Sequence, residues 1–254
     1  MNDAVINLAI AKRFAKKMAD VENGSIQEAE YRILKTMRNE EFSILDIGAN
    51  CGISSYIFLK EQPLAFVYAF EPNIRLLPFV NEVAQKFPSR LKVFGFGLGN
   101  SNHSSILYVP TTSKEYYSGL GTLNKKYADY SLSSLGLSDE CMCFDSIPIV
   151  IKKGDEVALP LNCRMIKIDV EGGEYECLEG LFGYIKRCEP ILLVETLYNR
   201  ERIFDLLSEL YCVLRLPNQN TDIHSNSRNT LFVPRSNNWK KWIASDCLKE
   251  LYSY

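Results

Sequence analysis

The chain has 254 residues, with 29 lysines and arginines against 31 aspartates and glutamates, so its formal net charge is −2. This balance gives no broad basic surface, which argues against nucleic acid as a partner. Hydrophobic residues make up 46% of the chain and charged residues 24%, as is usual for globular proteins. Because no apolar run reaches the roughly 20 residues that a spanning helix needs, we also expect no membrane span.

The N-terminal segment has the spacing of an amphipathic helix. Apolar residues recur through residues 4–20 with lysine and arginine between them, and Ser25 followed by Glu28 resembles a capping box that begins a second helix. Length and pattern together predict a helical extension over residues 1–40 and one large domain over residues 41–254. Apolar residues precede the basic ones, the reverse of a secretory signal, so we expect none. A basic amphipathic helix that touches a membrane surface is the alternative.

The eight cysteines are scattered, and several lie in apolar runs, where a thiol packs as a small hydrophobic group. The chain contains no C-x-x-C motif and only two histidines, which argues against a zinc site. We therefore expect reduced cysteines and a cytoplasmic protein.

One stretch near the start of the large domain has the order strand, glycine loop, helix, strand and acid. An apolar run at 42–47 ends in a glycine-flanked turn from Asp46 to Gly52, and a helical segment follows at 53–60. A second apolar run at 65–70 ends abruptly on Glu71. This order predicts a βαβ unit that can hold a nucleoside-bearing cofactor.

The residues of this unit suit that task. Gly48 and Gly52 let the backbone turn sharply and approach a ligand without a Cβ between them. The helix that follows offers free N–H groups at its start. A carboxylate at Glu71 can accept both hydroxyls of a ribose. The alternative is a purely structural turn with an acid on the surface.

The glycine spacing favours a cationic cofactor over a phosphorylated one. The loop lacks the G-x-G-x-x-G spacing of a pyrophosphate site and the lysine of a P-loop. The acid at its start, Asp46, would repel a pyrophosphate and attract a positive charge. S-adenosylmethionine carries an ammonium and a sulfonium and no phosphate, so it is the cofactor that we expect.

Three motifs in order along the chain resemble the FkbM family of class I S-adenosylmethionine-dependent methyltransferases: DIGANCG at 46–52, AFEPN at 69–73 and MIKIDVEGGEYECLEG at 165–180. The resemblance implies an α/β fold with a Rossmann-like class I methyltransferase sheet. That sheet is mostly parallel, with an antiparallel last strand and helices on both faces. The resemblance further implies O-methylation of a hydroxyl, often on a sugar in polysaccharide, glycolipid or natural-product biosynthesis.

The cofactor-binding residues follow from the loop, the acid and the resemblance. In the family, the turn at 97–100, after a third strand predicted at 91–96, faces the adenine. A glycine-rich turn with no ligand contact is the alternative. The predicted cofactor-binding set is Asp46, Gly48, Ala49, Asn50, Gly52, Glu71, Pro72, Leu98, Gly99 and Asn100.

A polar insertion spans about residues 101–140, with a short strand predicted at 105–109. It carries four tyrosines, whose rings can stack on sugars and whose hydroxyls can bond to them. We interpret it as a candidate lid over a small-molecule or glycan acceptor, and a surface excursion is the alternative. The tyrosines are Tyr116, Tyr117, Tyr127 and Tyr130.

The fourth predicted strand, at 165–170, carries the candidate catalytic acids. Its carboxyl end lies at the ligand edge of a parallel sheet, and strand alternation places Lys167, Asp169 and Glu171 on one side. An aliphatic hydroxyl is a poor nucleophile, so a nearby base would assist methyl transfer. Asp169 is the first candidate and Glu171 the second, with His103 and His224 as further candidates. A structural role for Asp169 is the alternative.

Glu174 is a further acid near this strand end, and it could contribute to the site or cap the following helix. A magnesium ion held by Asp169, Glu171 and Glu195 is a further possibility, because Mg²⁺ takes oxygen ligands. The FkbM resemblance does not require a metal, so the predicted site contains none.

The remaining elements follow from periodicity and turn residues. Helices are predicted at 74–86, 152–159, 175–187, 199–210 and 238–251, and extended segments at 141–151, 191–194, 212–216 and 230–234.

Two other functions stay open at this point. A nicotinamide-dependent oxidoreductase would use a similar sheet, although the missing G-x-G-x-x-G argues against it. A non-catalytic S-adenosylmethionine-binding protein would keep the fold without the reaction. The sequence indicates neither the acceptor nor the oligomeric state.

Overall fold

The computed structural model describes residues 3–24, 31–112, 115–124, 143–214, 228–245 and 247. Its strands are β1 (Ser43–Ile47), β2 (Phe66–Phe70), β3 (Leu91–Phe94), β4 (Gly97–Gly99), β5 (His103–Thr111), β6 (Cys143–Lys153), β7 (Cys163–Ile168), β8 (Ile191–Glu195), β9 (Tyr211–Val213) and β10 (Asn229–Pro234). The α-helices are α1 (Asp3–Glu22), α2 (Arg32–Thr36), α3 (Ile53–Glu61), α4 (Leu77–Lys86), α5 (Glu174–Gly180), α6 (Phe182–Cys188) and α7 (Arg200–Leu207).

The main sheet has seven strands in the order β3-β2-β1-β7-β8-β10-β9. Its neighbours are parallel except at β10, which is antiparallel to both β8 and β9. The strand order reverses between β1 and β7, which is where ligands bind in open α/β sheets. The predicted mostly parallel sheet with an antiparallel last strand is confirmed.

The register brings the ends of the central strands to one edge. Asp46 of β1 lies opposite Ala69 of β2 on one side and opposite Lys167 of β7 on the other. The residues that follow these strands therefore meet at the carboxyl edge. The glycine loop, Glu71 and Asp169 all lie there because each directly follows a parallel strand.

Both faces of the sheet are covered, which explains the continuous apolar runs in the sequence. Every residue of β1 and β8 is buried. Ile44 and Leu193 belong to the core cluster shared with α1, α3 and α4. Leu45 and Val194 belong to the opposite cluster, shared with α5, α6 and α7.

The predicted N-terminal amphipathic helix is confirmed as α1. Its buried residues recur every three or four positions, and the ring centroid of Phe14 lies 5.3 Å from that of Phe79 in α4. The apolar face of α1 is therefore used inside the molecule. The predicted capping box at Ser25 and Glu28 lies outside the described residues.

A second sheet of three strands has the order β4-β6-β5. The predicted turn at 97–100 is wrong for its first three residues, because they form β4 and pair parallel to β6. The predicted helix at 152–159 is also wrong, since β6 continues to Lys153 and only a 3₁₀ turn, Gly154–Glu156, follows. Most of the remaining polar insertion, 125–142, lies outside the described residues.

The helix predicted at 175–187 is two short helices, α5 and α6, that meet at Leu181. Gly180 packs so closely against β4 that a Cβ there would lie 1.8 Å from the Gly99 carbonyl oxygen. The carboxylate of Asp155 accepts the N–H groups of Gly183 at 2.9 Å and Tyr184 at 2.6 Å. These contacts give α6 its own N-terminal cap, so the chain starts a new helix.

The predicted C-terminal helix at 238–251 is wrong over residues 238–244, whereas Ser245 and Cys247 are helical. A 3₁₀ turn, Asn238–Trp242, is followed by an extended Ile243 that bridges to Met37. Within the described ranges, no helix is both long and apolar enough to cross a membrane.

Candidate cofactor and acceptor site

A cavity of about 620 Å³ opens at the carboxyl edge of the main sheet. This volume lies within the usual range for small-molecule sites. Most of the predicted site residues line it, namely Gly48, Ala49, Asn50, Glu71, Pro72, Leu98, Gly99, Asn100, Asp169 and Glu171. Asp46 and Gly52 lie behind the wall.

The glycine loop is set by close approaches within the protein. Gly48 has φ of +79°, and a Cβ there would lie 1.8 Å from the backbone oxygen of Asp169. Gly52 has φ of +82° and precedes α3, and its Cβ would lie 3.2 Å from the Cα of Val80. Left-handed backbone is accessible to glycine without strain. Both glycines thus bring the loop against its neighbours and leave Asn50 facing the cavity.

Asp46 acts by positioning other groups. Its side chain is 0% exposed, and Oδ2 accepts hydrogen bonds from the hydroxyls of Ser54 at 2.7 Å and Ser55 at 2.5 Å. Both serines lie in the first turn of α3. The acid predicted to attract a cationic cofactor therefore fixes the start of the helix relative to β1.

Lys167 connects three parts of the site, although it was not in the predicted set. Its ammonium group donates to the Gly48 carbonyl at 3.2 Å and lies 3.3 Å from Asp169 Oδ2 and 3.6 Å from Asp46 Oδ1. A lysine in the middle of an apolar strand, two residues before an acid, was the available signal. The lysine neutralises charge that would otherwise accumulate under the loop.

Glu71 is the best-organised acid at the cavity wall. It is 5% exposed, Oε2 accepts the N–H of Asn50 at 2.7 Å, and Oε1 accepts the N–H of Asn73 at 2.8 Å. Burial raises the pKa of Glu71 to about 7, although these two hydrogen bonds and Lys167 act in the opposite direction. Each carboxylate oxygen can accept a further hydrogen bond, so both oxygens keep capacity for hydroxyl donors.

A segment after β5 closes over this acid. The hydroxyl of Tyr116 accepts a hydrogen bond from the Asn73 side chain at 3.0 Å, and Ser118 donates to Asn50 Oδ1 at 3.1 Å. Tyr116 is only 1% exposed, so it packs inside the protein and is not available to stack on an acceptor. Tyr127 and Tyr130 lie outside the described residues.

The predicted adenine end is built by β4 and α5. Leu98 is buried, and the backbone of β4 pairs with β6. The side-chain amide of Asn100 donates to Glu179 at 2.6 Å, so α5 holds it in place. Leu98, Gly99 and Asn100 all line the cavity, and their contact with adenine stays a prediction.

Three carboxylates lie close together at the carboxyl ends of β7 and β8. Asp169, Glu171 and Glu195 each offer a carboxylate oxygen, and these oxygens lie within 4.8 Å of one another. Burial, followed by the neighbouring carboxyl groups, raises the pKa of both Glu171 and Glu195 above the usual range. Asp169 is the more accessible, with 35% of its side chain exposed.

Glu174 is the first residue of its helix, and its carboxylate binds the loop before the helix instead of capping the helix as the alternative interpretation held. Its carboxylate accepts the N–H of Val170 at 3.0 Å and the N–H of Gly172 at 3.0 and 3.1 Å. Burial raises the pKa of Glu174 to about 7 despite these bonds. These hydrogen bonds fix the short loop that carries Glu171, whose φ of +58° is in the left-handed region.

Basic residues of α1 complete the wall. Arg13 and Lys17 line the cavity beside the glycine loop, and the sequence analysis did not include them in the site. Their spacing of four residues on a helix, beside the buried stripe, was the only local signal. His103 also lines the cavity and is exposed, whereas His224 lies outside the described residues.

Comparisons with known proteins add independent findings. The chain is 25% identical over 166 residues to the AMB antimetabolite synthetase AmbE of Pseudomonas aeruginosa, a match that covers 54% of this chain and 8% of that protein. The chain therefore spans a small part of this relative.

Two solved structures of methyltransferases match the chain. The crystal structure of the methyltransferase FkbM from Methylobacillus flagellatus matches with a TM-score of 0.51 and 18% identity, over 79% of this chain and 47% of that one. Precorrin-6y C5,15-methyltransferase from Geobacter metallireducens matches with a TM-score of 0.41 and 14% identity, over 82% of this chain and 88% of that one.

A family model gives the assignment. The model of the methyltransferase FkbM domain matches residues 46–220, which begin at Asp46 and include all three sequence motifs. The matched segment is well over half of the 254 residues. The chain therefore belongs to the FkbM methyltransferase domain family.

Proposed function

We propose that this protein is an S-adenosylmethionine-dependent O-methyltransferase that methylates a hydroxyl of a sugar or glycoconjugate. The choice of cofactor rests on Glu71, a buried carboxylate at the end of β2. Its two oxygens accept the N–H groups of Asn50 and Asn73 and are fixed by them. Such a carboxylate suits the two hydroxyls of a ribose. The cavity beside it is large enough for a nucleoside with an amino-acid tail.

The residues around the cavity fit this donor. Glu71 would hold the ribose, the loop from Gly48 to Asn50 would face the amino-acid tail, and Leu98 to Asn100 would face the adenine. The carboxylates of Asp169 and Glu171 line the cavity, where they can attract a positively charged ligand. When bound, S-adenosylmethionine supplies a methyl group that its sulfonium already activates.

The protein would then contribute orientation and proton removal. Holding two reactants in the correct geometry can lower a barrier by about 7–11 kcal/mol in favourable cases. A positioned base adds about 10²–10⁴-fold when the nucleophile is a hydroxyl. We assign that role to Asp169, which faces the cavity and is held at 3.3 Å by Lys167, with Glu171 as the second candidate.

The proposal includes a division of the chain into two parts. Residues 1–40 would be a helical extension whose Arg13 and Lys17 face the donor end of the cavity. Residues 41–254 would be the catalytic domain, with the polar insertion near 101–140 beside the acceptor. The buried thiols of Cys51 and Cys163 support a cytoplasmic location, where cysteines stay reduced.

A non-catalytic role is the second candidate, because Asp169 is already paired with Lys167 at 3.3 Å. A nicotinamide-dependent oxidoreductase is disfavoured, since the loop from Gly48 to Gly52 lacks the G-x-G-x-x-G spacing of a pyrophosphate site.

Methyl transfer with a radiolabelled donor tests the proposal. The protein is incubated with labelled S-adenosylmethionine and separate glycan, glycolipid, protein and RNA fractions. We expect label in the glycan or glycolipid fraction as an ether that resists alkali. We expect Asp169→Asn to lower the rate by about 10²-fold or more while donor binding persists. Label on nitrogen or carbon, or donor binding without transfer to any fraction, would contradict the O-methyltransferase assignment.

A further inference from the structure

Three carboxylates converge behind the acceptor end of the cavity. Asp169 and Glu171 follow β7, and Glu195 ends β8, so the parallel sheet brings them to the same edge. One oxygen of each lies within 4.8 Å of the others. Like charges at this separation repel one another, and the repulsion is strongest where water is excluded.

Glu195 has an orphan oxygen in this group. Its side chain is 3% exposed, and Oε2 has no hydrogen-bond partner among the described residues. An ionised carboxylate that is buried without a partner is strongly unfavourable, so buried carboxylates are paired or coordinate a metal. The orphan oxygen therefore indicates a ligand that the described side chains do not supply.

The nearby lysine does not meet this need. Lys167 divides its charge between Asp169 at 3.3 Å and Asp46 at 3.6 Å, and it also donates to the Gly48 carbonyl. Arg228 is exposed, although its charge acts on Glu171 and Glu195 in the direction opposite to burial.

We propose that Asp169, Glu171 and Glu195 bind a divalent cation that prefers oxygen ligands, of the Mg²⁺ or Mn²⁺ type. In an octahedral Mg²⁺ site, adjacent ligand oxygens lie about 3 Å apart and opposed ones about 4 Å apart, so the three carboxylate oxygens, now within 4.8 Å of one another, would draw closer together around the ion. Glu174 is not a ligand, because its carboxylate is used by the N–H groups of Val170 and Gly172.

The cation explains how the acceptor end would recognise its substrate. Asp169 and Glu171 line the cavity. Coordination positions of the ion that the protein leaves open would therefore face the cavity. Two neighbouring hydroxyls of a sugar are suitable oxygen ligands, and a bound hydroxyl loses its proton more readily. A carboxylate that ligates through one oxygen keeps the other for that proton. This role rests on the proposed function, whereas the cation site itself does not.

Manganese binding tests the site without any methyl transfer. Mn²⁺ is titrated into the full-length protein and the free ion is followed by electron paramagnetic resonance, with Mg²⁺ as competitor. We expect one Mn²⁺ per chain, displaced by Mg²⁺, and a loss of affinity of about tenfold or more in Glu195→Gln. Glu176→Gln is the matched control, because Glu176 lines the same cavity but pairs with Arg202 and is not one of the three proposed ligands. Its affinity should equal that of the unmodified protein.

Asp169→Asn is the second variant, used if Glu195→Gln does not fold, and it should show the same loss. The cation site would be overturned if no Mn²⁺ bound at millimolar concentration. It would also be overturned if a folded Glu195→Gln or Asp169→Asn variant bound Mn²⁺ as tightly as the unmodified protein. Calorimetry with S-adenosylhomocysteine in EDTA separates the two proposals. Donor-product binding without Mn²⁺ binding would leave the methyltransferase proposal standing and overturn the cation site alone.

Discussion

At the scale of single residues, Glu71 combines burial with two fixed hydrogen bonds. Its oxygens accept the N–H groups of Asn50 and Asn73, which orient the carboxylate toward the cavity. Burial nevertheless raises its pKa to about 7, so the folded protein holds this proton more tightly than the unfolded chain. By linkage, the stability that this proton contributes is present below the unfolded pKa and is lost as pH rises to about 7.

Glu71 should therefore make donor-product binding depend on pH. Ribose hydroxyls donate to the ionised carboxylate, so we expect the affinity for S-adenosylhomocysteine to rise between about pH 6 and pH 8. Glu71→Gln should lower the affinity at the higher pH by about 1.5–3 kcal/mol, or about 10- to 150-fold, and should flatten this rise. Isothermal titration calorimetry measures both effects.

The matched control for this experiment is Glu82→Gln, which removes an exposed glutamate from α4. It should leave affinity and pH dependence unchanged. If Glu71→Gln binds as tightly as the unmodified protein at both pH values, Glu71 does not hold the ribose.

The sequence predicted which residues surround the cavity better than it predicted what each one does. Gly48 and Glu71 directly follow apolar strands, so their position at the sheet edge could be inferred from local pattern. Asp46 was predicted to face a ligand, but its serine partners lie in the next helix and make it structural. The role of Lys167 depends on three partners from different strands and the loop, a relationship that spacing alone does not encode.

At the scale of elements, the loop between β1 and α3 depends on a close approach to β7. A Cβ on Gly48 would lie 1.8 Å from the Asp169 backbone oxygen, a distance that real atoms never reach. The loop and the strand that carries the candidate base are thus held in direct contact. A change at Gly48 must move one of them.

Comparison of two glycines isolates this contact. Gly48 and Gly24 both have left-handed backbone, with φ of +79° and +71°, but a Cβ on Gly24 meets no described atom within 4 Å. Alanine in this conformation costs about 1–2 kcal/mol at either site. We expect Gly24→Ala to lose only that amount, and Gly48→Ala to lose clearly more. Urea denaturation measures the difference, and equal losses would show that the loop tolerates a side chain against β7.

Errors in the predicted elements share a physical cause. The helix expected at 175–187 has helical periodicity throughout, but contacts with Gly99 and Asp155 divide it at Leu181. The segment at 97–99 has the composition of a turn, yet it pairs with β6 more than fifty residues later. In both segments, contacts with residues distant in sequence determine the secondary structure. Local propensity does not predict such contacts.

At the scale of the whole molecule, one cavity is built from distant parts of the chain. The N-terminal helix contributes Arg13 and Lys17, the central strands contribute Glu71 and Asp169, and the second sheet contributes Leu98. Positive and negative groups therefore line the same space. This distribution suits a ligand with both a carboxylate and a cationic centre.

The mostly parallel sheet and the family could be inferred from the sequence because three motifs lie at the carboxyl ends of β1, β2 and β7, which are neighbours in the sheet. The contribution of α1 could not, since its amphipathic pattern shows only that one face is buried. Packing against α4 brings its basic residues to the cavity mouth.

A crystal structure of the protein with S-adenosylhomocysteine tests the central claim most directly. We expect the two ribose hydroxyls within hydrogen-bond distance of Glu71, the amino-acid tail beside the loop from Gly48 to Asn50, and the adenine beside Leu98. Density for the ligand at another place, or a saturated crystal with no ligand at the carboxyl edge of β1 and β2, would contradict it.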